Sequence, residues 1–257
     1  MKKLLLSITF ISIISSVFAC GGASATKPKD GTTIADQKTL AVSSFKRRNY
    51  KQALEEIDVA EQMDPKDPEV HLIRGIILFA IQDLEGAEKS YKKAIELKPE
   101  YSEAHFNICG LFLNLERYDQ AIAHCKKATD DRLYKSRDRA FTAIGVAYFN
   151  KGDLDMAENY YEKSLRVNPS LVYTRNQLGK LYVAQGRLHD AIDEFQAAVT
   201  GYQLYDEAHY NLGITYLKLK ETFKACSSFK RVLEVAPNGE WGRKAKNYTK
   251  SVCDSVY

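Results

Sequence analysis

The stretch LEGAEKSYKKAIELKP, residues 84–99, comes back as LDMAENYYEKSLRVNP at residues 154–169. Both carry alanine at the fourth place and close on proline. Aligning on that alanine brings in YKQALEEIDVAEQMDP, YDQAIAHCKKATDD, LHDAIDEFQAAVTG and TFKACSSFKRVLEVAP. The alanines are Ala53, Ala87, Ala121, Ala157, Ala191 and Ala225, spaced 34, 34, 36, 34 and 34. A small residue lies twelve before each: Ala41, Gly75, Cys109, Gly145, Gly179 and Gly213. Leu78, Phe112, Tyr148, Tyr182 and Tyr216 lie nine before, and Pro65, Pro99, Pro169 and Pro237 twelve after.

Each marker has a physical role. Small residues let two antiparallel helices approach closely, and large ones fill the gap to the next pair. Proline ends the second helix, because it cannot donate to the preceding turn and crowds it. The pattern resembles the tetratricopeptide repeat, one helix–turn–helix per 34 residues. The resemblance covers residues 34–238 and predicts an all-α, right-handed superhelical solenoid of six repeats. Residues 239–257 carry Trp241, Ala245, Tyr248 and Val252 at helical spacing and are expected to form a C-terminal capping helix.

In this fold the first helix of each unit lines an inner groove. The groove offsets fall on Leu72, Ile76 and Phe79; Phe106, Gly110 and Leu113; Thr142, Val146 and Phe149; Asn176, Lys180 and Val183; and Tyr210, Ile214 and Leu217. The set is largely apolar, which marks a binding surface, although some members are open to the alternative of packing between helices. It lacks the Lys/Asn/Arg set with which repeat proteins clamp a terminal carboxylate. The expected ligand is an apolar helix or extended segment of another protein.

No phosphate loop, nucleophile elbow or zinc-protease motif occurs, so the chain reads as a non-enzyme with no metal and no small-molecule substrate. His71, His105 and His209 share one repeat offset and are expected to be structural. A metal site drawn from His105, Cys109, His124 and Cys125 is disfavoured, because adjacent helical residues point apart. Past Cys20, four cysteines remain. Cys109 and Cys125 face each other in one hairpin, and Cys226 faces the cap that carries Cys253. Those two pairs are the expected disulfides of three pairings, with four free buried thiols the alternative.

Residues 1–19 have a positive start, Lys2 and Lys3, and an apolar run too short to favour a spanning helix. Val17-Phe18-Ala19-Cys20 resembles the bacterial lipobox. The resemblance implies a lipoprotein signal peptide over 1–19, acyl chains on Cys20 as the membrane anchor, and, with Gly21 following, sorting to the outer membrane. An ordinary cleaved signal is the alternative. Residues 20–33 are the lipidated cysteine and a Gly/Ser/Thr/Pro tether; its 13 residues after Cys20 reach roughly 20 Å. Loss of 1–19 leaves 35 basic against 33 acidic residues, which excludes a basic nucleic-acid binder.

The 36-residue spacing places two extra residues between units three and four. Asp131, Leu133 and Tyr134 there, followed by Gly152, Asp153 and Ala157, resemble the pilotin family of type IV pilus systems. Arg132 stands where family members often have proline. The resemblance implies an outer-membrane lipoprotein facing the periplasm. It would bind secretin subunits through its groove and promote their localisation and multimerisation. The alternative is a periplasmic adaptor for peptidoglycan hydrolases or outer-membrane barrel assembly.

Overall fold

The computed structural model describes residues 31–253. The expected signal peptide, Cys20 and most of the expected tether lie outside the described residues. Among those described, thirteen α-helices follow one another without a strand: α1 (Ile34–Lys46), α2 (Tyr50–Met63), α3 (Pro68–Ala80), α4 (Leu84–Leu97), α5 (Ser102–Asn114), α6 (Tyr118–Asp130), α7 (Arg137–Asn150), α8 (Leu154–Val167), α9 (Val172–Ala184), α10 (Leu188–Gly201), α11 (Asp206–Lys218), α12 (Thr222–Val235) and α13 (Glu240–Tyr248). A π-helical turn, Thr249–Cys253, closes the described chain.

Several helix starts are capped by a short acceptor side chain. Asn49, Asp83 and Asp153 each accept from the backbone N–H three residues on, and Thr33 forms a reciprocal capping box with Asp36. The second helices α2, α4, α8 and α12 each stop two residues before proline. Four residues separate α4 from α5 and α8 from α9, whereas six, 131–136, separate α6 from α7; the extra pair sits there.

In units two, four, five and six the glycine of the first helix meets a ring on the second. A Cβ on Gly75 would lie 2.5 Å from Tyr91, one on Gly145 2.5 Å from Tyr161, and one on Gly213 2.5 Å from Phe229. No side chain fits at that separation, so these glycines are required for the hairpins to close. Unit three solves the same slot differently. Cys109 and Cys125, 16 apart like the Gly–ring pairs, are joined as a disulfide with Cα atoms 5.4 Å apart. Cys226 on α12 is joined to Cys253 of the closing turn.

Curvature follows from which helices touch. Consecutive first helices (α1, α3, α5, α7, α9, α11) contact one another, whereas consecutive second helices do not. The first helices therefore form the inner face, and the second helices splay around it. Three overlapping apolar clusters run the length of the stack and end in α13 and its turn. No described helix is long and apolar enough to cross a membrane.

Candidate functional site

The inner face is built by α3, α5, α7, α9 and α11. Ile76, Phe79, Phe106, Leu113, Val146, Phe149, Val183, Ile214 and Leu217 are each half-buried on it, so they keep some surface open. Near its middle stands Gly110, where an added Cβ would find nothing within 4 Å. With no side chain there, the row Ile76–Gly110–Val146 has a hollow at its centre. Lys180, the one charged member of the expected set, has its Nζ 3.2 Å from Glu207 Oε1. At the N-terminal end, Lys38 Nζ meets Asp67 Oδ2 at 2.8 Å. These ion pairs hold Lys38 and Lys180 within the array, and the other members of the expected set are uncharged.

Three expected groove residues are buried away from this face, and a fourth, Tyr210, is half-buried beneath the cap. Leu72 is 4% exposed and belongs to the core between helices. Thr142 is buried in a hydroxyl triad, 2.8 Å from Ser164 Oγ and 2.6 Å from Thr174 Oγ1. Asn176 is fully buried, donating to Tyr205 Oη and accepting from Asn211. Tyr210 is covered by the cap: its ring lies 5.0 Å from Trp241 and 6.1 Å from Tyr248. The groove thus ends at Ile214 and Leu217. All four share one offset with Phe106, which is itself half-buried against Tyr134; this offset lies where the neighbouring unit packs on the edge of the groove. The hydroxyl triad had a sequence signal. Ser164 stands in the column of Ala60, Ala94, Ala128 and Ala198, and Thr174 in that of Val70, Ala104, Ala140 and Ala208.

The histidines brace connections. His71 Nε2 lies 2.8 Å from the Pro65 carbonyl, His105 Nε2 2.8 Å from that of Pro99, and His209 Nε2 2.9 Å from that of Gln203. A carbonyl only accepts, so His105 carries its hydrogen on Nε2, and its Nδ1 accepts from His124 Nδ1–H at 2.9 Å. His124 and Cys125 both reach α5, contrary to the expectation that they diverge. The cysteine sulfurs, however, are bonded to each other, and no group of metal-ligating side chains forms among the described residues.

Burial, with His105 beside it, pushes the His124 imidazole down to about 4 from its ordinary 6.5. The folded form therefore stays neutral where the unfolded chain takes a proton. Stability is complete above pH 6.5 and is lost as pH falls from 6.5 towards 4. For a part-exposed ring the loss at pH 5 is about 1–2 kcal/mol. Thermal melts at pH 7 and pH 5 should show this drop in the natural chain and a smaller one in His124→Gln. Equal drops would rule His124 out as the source.

The tetratricopeptide repeat profile matches residues 39–102 and 176–240, with further matches over 78–133 and 139–171. The chain is 26% identical over 129 residues to the type IV pilus assembly protein PilF of Pseudomonas aeruginosa, a match covering 50% of this chain and 51% of that one. It is 25% identical over 230 residues to the TPR repeat-containing protein MJ1428 of Methanocaldococcus jannaschii, covering 89% of this chain and 36% of that protein. The chain thus spans about half or less of the curated relatives it matches. Its fold superposes on the crystal structure of PilW, described as a widely conserved type IV pilus biogenesis factor, with a TM-score of 0.77, 22% identity and coverage of 83% and 98%. At that identity the likeness is one of fold. The period, the Gly–ring slots and a repeat profile matching half of the residues establish that the chain belongs to the tetratricopeptide repeat family, whose arrays bind other proteins.

Proposed function

We propose that this protein is an outer-membrane lipoprotein, a pilotin, that holds secretin subunits in its groove and promotes their insertion and multimerisation for type IV pilus assembly. The observation that carries the reading is the open apolar row centred on the hollow at Gly110, with Lys180 paired internally. Such a face suits an apolar segment of another protein. The similarity to PilF and to the fold of PilW supports the choice of client. The expected acyl chains on Cys20 would hold scaffold and client at the membrane; two or more chains anchor firmly where one does not.

The test is a strain lacking the gene, followed by blotting for the heat-resistant secretin multimer. The multimer should disappear while monomer persists. Restoring the natural gene should bring it back, and Cys20→Ala should not. Normal multimers in the deletion would refute the proposal and transfer the groove to an adaptor of cell-wall hydrolases or barrel assembly.

A further inference from the structure

Large apolar side chains are exposed on successive connections along one edge of the solenoid, while the opposite edge exposes Phe223 and Ile81. Leu133 is 91% exposed, Leu204 55%, Tyr202 51% and Val167 49%. They sit at or beside the connections α6–α7, α8–α9 and α10–α11, where each second helix hands over to the next first helix. Single exposed apolar residues are ordinary, but a row on consecutive connections is not.

Leu133 is held out by a braced turn. Asp131 Oδ1 accepts from the Leu133 backbone N–H at 2.9 Å, while its Oδ2 accepts from Ser102 Oγ at 2.9 Å. The next residue, Tyr134, is anchored against Phe106, with ring centroids 6.1 Å apart. Arg132 and Lys135 flank the exposed leucine, and both are exposed.

The same edge receives the start of the array. Cross-links step along it from Lys38–Asp67 to Ser102–Asp131, then Asn168–Asp138, then Asn176–Tyr205. Because first and second helices alternate in direction, the N-terminus of α1 at Ile34 lies on this edge too. Only 13 residues separate Ile34 from Cys20.

We infer that this edge is the membrane-facing side of the protein, with Leu133, Tyr202 and Leu204 entering the headgroup layer of an anionic phospholipid surface and Arg132 and Lys135 pairing with its phosphates. The inference rests on the anchored reading of Cys20. A tether reaching roughly 20 Å keeps this edge, and not the opposite one, close to the lipid. The chemistry also fits: an apolar tip between two cations suits an interface that offers hydrocarbon below anionic groups. Connection α2–α3 carries no exposed large apolar side chain and should stay clear. The body therefore tilts onto its units three to six and leaves the groove open along the membrane plane.

The full chain, purified from membranes, is placed in vesicles of phosphatidylethanolamine and phosphatidylglycerol. Flotation and the mass of the Cys20 peptide report the anchor; hydrogen exchange reports the edge. Amides at 131–136 and 202–205 should slow about tenfold relative to detergent micelles, with no change at Ile81 on the opposite edge. A Leu133→Asp/Leu204→Asp chain should still float but lose that protection. The inference is overturned if the floating natural chain exchanges as fast as in micelles. Protection that survives the double substitution overturns it too, as does protection that fades when protein is diluted per vesicle, which would mean contact between copies. If Cys20 is unmodified and the chain does not float, the anchor reading has failed. The unanchored chain with excess anionic vesicles then decides the edge: protection of the two segments supports it and its absence overturns it.

Discussion

Reduction of the folded chain should shift the emission of Trp241, its only tryptophan, to longer wavelength at temperatures where the helical signal is still intact. The cap makes this expected. Helix α13 has nine residues, too few to persist alone, since isolated helices below about 12–15 residues are marginal in water. It is held by Trp241 on Tyr210, by Tyr248 stacked on Phe229 at 5.0 Å, and by the Cys226–Cys253 bond. Loss of a cross-link closing a 27-residue loop costs about 3–4 kcal/mol in the chain-entropy treatment. That is enough to release the cap before the array unfolds. Cys253→Ser should reproduce the shift without reductant and lower the melting temperature by several degrees. Coincident fluorescence and circular dichroism transitions in that variant would show that the cap does not depend on the bond.

The other disulfide should behave differently, because it fills a slot the fold fills elsewhere with a ring. Cys109→Ala with Cys125→Ala loses the cross-link and leaves space, at a cost of about 3 kcal/mol or more. Cys109→Gly with Cys125→Tyr copies the Gly75–Tyr91 and Gly145–Tyr161 pairs and should recover most of that loss.

That slot shows how far the sequence could be read. The 34-residue period gave the helices, their pairing and the Cys109–Cys125 pair, because position within a repeat determines which neighbour a side chain meets; the Cys226–Cys253 pair came from the helical spacing of the cap. What it did not give was the fate of one offset. Leu72, Thr142 and Asn176 read as groove residues but lie between helices, whereas Phe106 at the same offset keeps some surface open, so the offset alone does not decide burial. For Thr142 the polar exceptions in two alanine-rich columns pointed inward. Tyr210, at that same offset, is half-buried with Trp241 over it, and because the cap departs from the repeat no column predicts that contact. The His105–His124 contact was missed because helical direction was judged within α6 alone, without the crossing of α5 over it.

Gly110→Arg should weaken capture of the proposed secretin client at least tenfold while leaving the protein at least as stable as before. Substitutions in a binding face usually confound loss of contact with loss of fold. This position separates them, because a Cβ there meets nothing within 4 Å and its backbone is helical. Replacing glycine within a helix by arginine gains about 0.8 kcal/mol of helix propensity. The same side chain fills the hollow between Ile76 and Val146 with bulk and places a charge where Lys180 is already paired with Glu207. An apolar segment docking there would meet a buried, unpartnered guanidinium, so affinity should fall at least tenfold, about 1.4 kcal/mol or more. Pull-down of secretin by the natural chain and by Gly110→Arg, with melting temperatures measured alongside, checks both halves. A rise in melting temperature with weakened capture is the expected pair. Undiminished capture by the variant would move the client off the inner face altogether, whatever the chain's relation to pilus assembly.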